Sequence, residues 1–258
     1  MTSYPLPHVG HDLVGRVALV TGATAGLGRR FARTLAAAGA AVGVAGRRTE
    51  KIAEVVAEIE AAGGRAVGVR LDVMDADALV RAVDTVESSL GPITILVNNA
   101  GIPDAQRAHK MDLDLVDRVL ATNLRAPWLL STEVARRPIE AGRPGNIVNL
   151  SSVAAFDYDG KGAALYSTTK AAINRMTETL SVEWARHHIN VNAIAPGAFS
   201  SEMMDGMIDR IGDPSVGFPR QRLGDPAQLD STLLFLVSPA SEFVTGTVVR
   251  VDDGQPHR

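Results

Sequence analysis

Short apolar runs alternate with longer stretches of helical spacing along the chain. Val17 to Gly22 and Ala41 to Gly46 are apolar throughout and end in glycine. Residues 27–38, between them, carry apolar side chains three and four apart and stop at Gly39. Runs this short and this apolar predict strands buried on both faces, and the spaced pattern predicts an amphipathic helix. The same reasoning predicts further helices at 49–62, 76–90, 111–141, 164–187 and 227–236. In the first of these, Ile52, Val55, Val56 and Ile59 share a face before Gly63-Gly64. Further strands are predicted at 66–71, 93–97, 146–150, 191–194 and 247–251. About seven short strands separated by helices mean βαβ units. The fold class is therefore α/β, a single Rossmann-like doubly wound parallel sheet with helices on both faces. No linker divides residues 13–258, which read as one domain behind an N-terminal arm, 1–12. Residues 197–224 are irregular, punctuated by Gly and Pro, and long enough to be a lid.

Composition then removes several classes. The 258 residues include no cysteine, which excludes disulfides, thiolate metal ligands and a cysteine nucleophile. No metal site is expected. A formal net charge of -3 gives no basis for nucleic-acid binding. No apolar run reaches the ~18 residues that a membrane helix needs. Met1 to Asp12 lacks the basic and apolar regions of a secretion signal. These features predict a cytoplasmic protein with a small-molecule substrate and with neither nucleic acid nor membrane as partner. Asn149-Leu150-Ser151 matches a glycosylation sequon but falls in a predicted buried strand and is read as structural.

The first predicted strand runs into Thr21-Gly22-Ala23-Thr24-Ala25-Gly26-Leu27-Gly28 and then a helix. Glycines at a strand-to-helix junction let a pyrophosphate approach the backbone and the helix N-terminus. The second strand ends Gly46-Arg47-Arg48. An NAD site usually has an acidic side chain there for the ribose hydroxyls; two guanidiniums instead suit a 2′-phosphate. The cofactor expected is NADP, with NAD as the other candidate.

Tyr166 and Lys170 stand four apart at the start of a long predicted helix and share a face. A free phenol has a pKa of about 10, and a neighbouring ammonium would lower it toward a working acid or base. Ser152 ends the preceding strand, where a hydroxyl can hold a carbonyl oxygen, while Ser151 reads as a cap or turn residue. Asn98-Asn99-Ala100-Gly101 ends another strand and can tie neighbouring strand ends together. Pro127 lies four residues after Asn123 and has no N–H, so in a continuous α-helix the Asn123 carbonyl is free to hold a water.

With these motifs the chain resembles the short-chain dehydrogenase/reductase family of the TGxxxGxG and YxxxK type, from Leu13 to about Gly254. The resemblance implies a homotetramer or homodimer using NAD or NADP. It implies that Gly22, Thr24, Gly26, Leu27 and Gly28 line the pyrophosphate and that Arg47 and Arg48 meet the 2′-phosphate. Asp72 and Val73 would contact the adenine, and Asn99, Ala100 and Gly101 the ribose and its surroundings. Tyr166 would be the acid/base, Ser152 the carbonyl holder, Lys170 the ribose ligand, and Asn123 the holder of a relay water. Pro196 and Gly197 would form the turn beside the nicotinamide, with Ser201 on the carboxamide. Asp253 departs from the family, standing where a second glycine is common.

The reaction implied is interconversion of a secondary alcohol and a ketone. Met203, Met204, Met207, Ile208 and Ile211 share one helical face in the lid. With Ala154, Phe156 and Phe199 they predict an apolar substrate pocket. A second reading is reduction of 3-oxoacyl groups on acyl carrier protein, with Arg143 and Arg186 as carrier contacts. A third, a dinucleotide-binding regulator, would have no use for Tyr166.

Overall fold

The computed structural model describes residues 8–104, 106–158, 160 and 162–255. Most of the predicted arm, the C-terminal tripeptide, and Asp159 and Lys161 of the segment between Ser152 and Tyr166 lie outside them. Seven strands form one sheet: β1 (Val17–Thr21), β2 (Ala41–Gly46), β3 (Arg65–Arg70), β4 (Ile95–Asn98), β5 (Gly145–Leu150), β6 (Ile189–Pro196) and β7 (Val248–Val251). Their order is β3-β2-β1-β4-β5-β6-β7, and every pair is parallel. β1, β2 and β4 are buried at every position, as runs apolar on both alternations require.

Helices α1 (Gly26–Ala37), α2 (Thr49–Ala61), α3 (Ala76–Leu90), α4 (Leu113–Leu120), α5 (Ala126–Ala141), α6 (Ala164–Trp184), α7 (Glu202–Ile211) and α8 (Asp230–Val237) follow in chain order. One face of the sheet packs against α1, α2 and α8 through Phe31, Leu35, Ile52, Val55, Leu233 and Leu236. The other packs against α3, α5 and α6 through Leu79, Val83, Leu130, Val134, Ile173 and Leu180. The chain reverses direction across the sheet between β1 and β4, so the crevice beyond their C-terminal ends is the topological place for a ligand.

The predicted helix 111–141 is not one α-helix. Residues Ala121–Arg125 form a π turn between α4 and α5, with the Ala126 N–H bonded to the Ala121 carbonyl. Pro127 follows at the start of α5. The missing N–H thus falls directly after a wider, π turn of the helix.

Candidate active site

β1 ends in Thr21, whose hydroxyl accepts from the N–H groups of Asn99 at 3.0 Å and Ala100 at 3.1 Å. The Asn99 amide donates to the carbonyls of Thr21 at 2.9 Å and Gly22 at 3.2 Å. The two strand ends at the switch point are thus stitched together, as the Asn-Asn pair predicts. Gly22 and Gly26 hold positive φ angles of 62° and 50°. A Cβ on Gly28 would come within 2.3 Å of both the Asn99 amide nitrogen and the Gly22 carbonyl. Helix α1 starts at this loop with no side-chain cap and no acidic residue in its first turn. Its first N–H groups therefore stand available to an anion. A cradle of this form, closed to any side chain, fits a dinucleotide pyrophosphate.

Around this cradle, Arg48 donates to the Thr24 hydroxyl at 3.2 Å and pairs with Glu202 of α7 at 3.1 Å. Arg47 is exposed beside it. Asp72 caps the turn after β3 through Met74, and Val73 is half-buried behind it. Leu27 packs on the core. The Ser201 hydroxyl accepts from Met204 N at 3.2 Å as the cap of α7. Ser201 lies against the cradle, 3.2 Å from where a Gly26 Cβ would be.

The reacting groups converge beyond β4 and β5. A Cβ on Gly101 would sit 3.5 Å from Asn123 Oδ1 and 3.7 Å from Lys170 Nζ. The Asn123 side chain, which sequence reasoning left unused, clasps Ile102: it accepts from Ile102 N at 2.9 Å and donates to Ile102 O at 2.8 Å. Ser152 extends from β5, its Oγ accepting from Ala154 N at 3.1 Å. Ser152, and not Ser151, is therefore the local cap. Ser151 is buried and its hydroxyl donates to the Lys170 carbonyl at 3.2 Å, because α6 packs directly over that strand end.

Tyr166 and Lys170 do share a face of α6. Burial pushes the Tyr166 phenol above its usual pKa, the Ser152 hydroxyl pulls it down as a hydrogen-bond partner, and the Asp104 charge raises it. The expectation that Lys170 lowers the phenol is not met in this structure. Its ammonium donates to the Leu150 carbonyl at 2.6 Å and stands 5.5 Å from the Tyr166 ring centroid. Burial also lowers Lys170 itself to about 8.

That shift has a measurable sign. The folded state gives up the Lys170 proton near pH 8 and the unfolded chain near 10.5. Across that window the unfolded state binds more protons, so rising pH stabilises the fold. Relative to Lys170→Met, the wild type should therefore gain roughly 3 kcal/mol between pH 8 and 10.5, and nothing below pH 8. Chemical denaturation of both proteins at pH 7 and pH 10 checks this. Parallel pH dependences would mean that Lys170 titrates normally.

The expected apolar pocket is only partly assembled. Met204 and Met207 are half-buried on α7, but Met203 is 44% exposed because it falls on the solvent side of that helix. Phe199 is a core residue, 6% exposed; Gly224 has no side chain where the ring packs. The Phe156 ring is covered by the Arg250 guanidinium, 3.7 Å from its centroid. Ala154 is half-buried beside Ser152. Arg143 and Arg186 precede β5 and β6, at the N-terminal ends of the strands, opposite the site. They lie away from the C-terminal strand ends, where the glycine cradle and Ser152 stand. The irregular segment 197–224 is anchored by the C-terminal segment. Pro196 ends β6, Gln255 Oε1 accepts from Ala198 N just past Gly197 at 2.6 Å, and Asp253 accepts from Arg220 at 2.8 Å and Arg222 at 2.7 Å. Asp253 holds φ at 55°, which explains why glycine would also suit that position. Among the described residues no helix is long and apolar enough to cross a membrane, and no group of metal-binding side chains is present.

Residues 16–210 match the family described as short chain dehydrogenase. The 2-dehydro-3-deoxy-D-gluconate 5-dehydrogenase of Formosa agariphila is 35% identical, covering 94% of this chain and 93% of its own. A 3-oxoacyl-acyl-carrier-protein reductase of Aquifex aeolicus is also 35% identical, over 94% of this chain and 98% of its own. The structure of a gluconate 5-dehydrogenase from Burkholderia cenocepacia, in complex with NADP and tartrate, superposes with a TM-score of 0.89. It is 33% identical, over 96% of this chain and 98% of that one. Similarity over nearly the full length, together with this geometry, places the chain in the short-chain dehydrogenase family, as an NAD(P)-dependent oxidoreductase acting on CH–OH groups.

Proposed function

We propose that the chain interconverts a secondary alcohol and a ketone with NADP as preferred cofactor, on a small molecule with an apolar body. The observation that carries the reading is the convergence of Ser152, Tyr166 and Lys170 beside the glycine cradle. Gly22, Gly26 and Gly28 would hold the pyrophosphate, Arg47 and Arg48 the 2′-phosphate, and Asn99, Ala100, Gly101, Pro196 and Gly197 the nucleoside ends. When bound, the cofactor supplies or accepts the hydride. The Ser152 hydroxyl holds the substrate oxygen. Tyr166 gives that oxygen its proton in reduction and removes it in oxidation; its raised pKa suits the proton-donating role at neutral pH. Lys170 and the Asn123 backbone connect the phenol to solvent. Met204, Met207 and Ala154 face the substrate's apolar part.

Purified protein assayed with NADPH on a cyclohexanone-type ketone and on a keto sugar acid tests this. The reading expects the apolar ketone to have the higher kcat/KM. A second reading, a sugar acid, is favoured by Arg250, whose cation lies over Phe156, four residues after Ser152. A preference for the sugar acid that disappears in Arg250→Ala would establish it instead. No turnover of either class would overturn both.

The cofactor preference has its own test. NADPH should bind about tenfold more tightly than NADH, ~1.4 kcal/mol, and the double variant Arg47→Ala/Arg48→Ala should lose that margin. Inserting an acid at Gly46 is a poorer test, because its Cβ would come within 2.7 Å of Thr24 Cγ2. Equal or tighter binding of NADH by the wild type would refute the preference.

A further inference from the structure

Helix α6 carries Tyr166 in its first turn yet starts without a cap of its own. Its N-cap is Ala163, which has no side-chain acceptor, and no acidic residue lies in its first turn. The N–H groups of Leu165 and Tyr166 need acceptors from elsewhere. Asp104, distant in sequence, provides one. Its Oδ2 accepts from Leu165 N at 2.9 Å and from Tyr166 N at 3.1 Å. The side chain is 2% exposed. A carboxylate buried this deeply persists only where hydrogen bonds and favourable charge compensate, and a helix N-terminus offers both.

The same loop is gripped from its other side. Asn123 clasps both backbone groups of Ile102, two residues before Asp104. Its amide also reaches the Thr169 hydroxyl at 3.4 Å, and that hydroxyl donates to the Tyr166 carbonyl at 2.7 Å. Residues 102–104 thus form a short bridge from the π turn to the first turn of α6.

We propose that Asp104 is a positioning residue for the reaction: through the backbone of Tyr166 it fixes where the phenol stands relative to Ser152. The inference rests on Tyr166 as the proton donor. Among the described residues, the groups that bear on the phenol are Ser152 from the turn after β5, Asp104 from the loop after β4, and Lys170 from α6 itself. The Lys170 ammonium is turned to the Leu150 carbonyl. Burial does most to keep the phenol protonated, and the Asp104 charge adds to it, in addition to holding its backbone.

Two variants separate position from charge. Asp104→Asn keeps an acceptor oxygen and removes the charge; Asp104→Ala removes both. In Asp104→Ala, kcat should fall by about tenfold or more, because small misplacements of a reacting group are costly, while the Kd for the preferred dinucleotide stays within about twofold. Asp104→Asn should recover most of kcat and move the pH midpoint of kcat to lower values. Normal kcat and an unmoved pH midpoint in folded Asp104→Ala would overturn the proposal, as would a fall in kcat explained wholly by lower Tm. If Asp104→Ala does not fold, an unmoved midpoint in Asp104→Asn overturns it. Tyr166→Phe run in parallel separates the two readings. Full activity in that variant defeats the assignment of Tyr166 itself, whereas inactivity there with unaffected Asp104 variants defeats only the role of Asp104.

Discussion

Replacing Tyr166 with phenylalanine should remove turnover by about 10²- to 10⁴-fold, the range for loss of a positioned acid or base. The ring stays, so the packing of α6 on the Ser152 turn stays with it, and Tm should be nearly unchanged. Dinucleotide binding should also hold, because the groups of the cradle lie on β1, α1 and β4. Burial raises the phenol pKa in this site, so near neutral pH the group is a proton donor and the loss should be read first in the reductive direction. Initial rates with saturating NADPH, set beside a dinucleotide titration, give both quantities. If the variant kept a sizeable fraction of wild-type kcat, another group would be moving the proton. If it lost binding as well, the tyrosine would be serving the fold.

Gly28→Ala should be the most damaging single methyl addition in the molecule. The new Cβ would lie 2.3 Å from the Asn99 amide nitrogen and 2.3 Å from the Gly22 carbonyl. Neither can retreat: the amide is bonded to the carbonyls of Thr21 and Gly22, and the other obstacle is backbone. Overpacking costs about 1–3 kcal/mol where side chains yield, and the upper end is expected here. The stitch between β1 and β4 would open with it, so dinucleotide affinity should fall by about tenfold or more, or ~1.4 kcal/mol. Gly206→Ala supplies the contrast. It sits in α7 with nothing within 4 Å of an added Cβ, and removing a helical glycine should stabilise by about 0.5–1 kcal/mol. Thermal melts and dinucleotide titrations of both variants check the pair. Equal behaviour would mean that the cradle is looser than its contacts imply.

Both variants draw on residues visible in the sequence, and the reason is physical. A backbone that must approach a phosphate forbids side chains, so the glycines of residues 22–28 stand in the chain itself. A tyrosine and a lysine that share a helix face must be four apart. Parallel strands read as short, mostly apolar runs, which located all seven to within two residues at every end. Position relative to the sheet was readable too, though less directly. Arg143 and Arg186 precede strands, and in an all-parallel sheet that places them at the strand ends away from the site.

Other features have no local signature. Phe199 follows a Pro-Gly turn and suggests a pocket wall from sequence, but Gly224 makes room for it in the core. Nothing in Ser151-Ser152 distinguishes the hydroxyl that meets Tyr166 from the one that meets the Lys170 carbonyl until α6 is laid over β5. The π turn at Ala121–Arg125 continues the helical spacing around it, and Pro127 hints only that an N–H is missing.

The chain by itself therefore determined its fold class, its glycine loop and its Tyr166–Lys170 pair, because each depends on residue type at short spacing. Tertiary structure alone decided how those groups are held. The buried amide chain from Asn98 to Asn149 and on to Thr177 joins β4, β5 and α6 across the sheet. Asp104 reaches the first turn of α6 from another loop. A hydrogen-bond acceptor is chosen by distance in space, and a cap that lies outside its own helix leaves that helix's sequence silent about it.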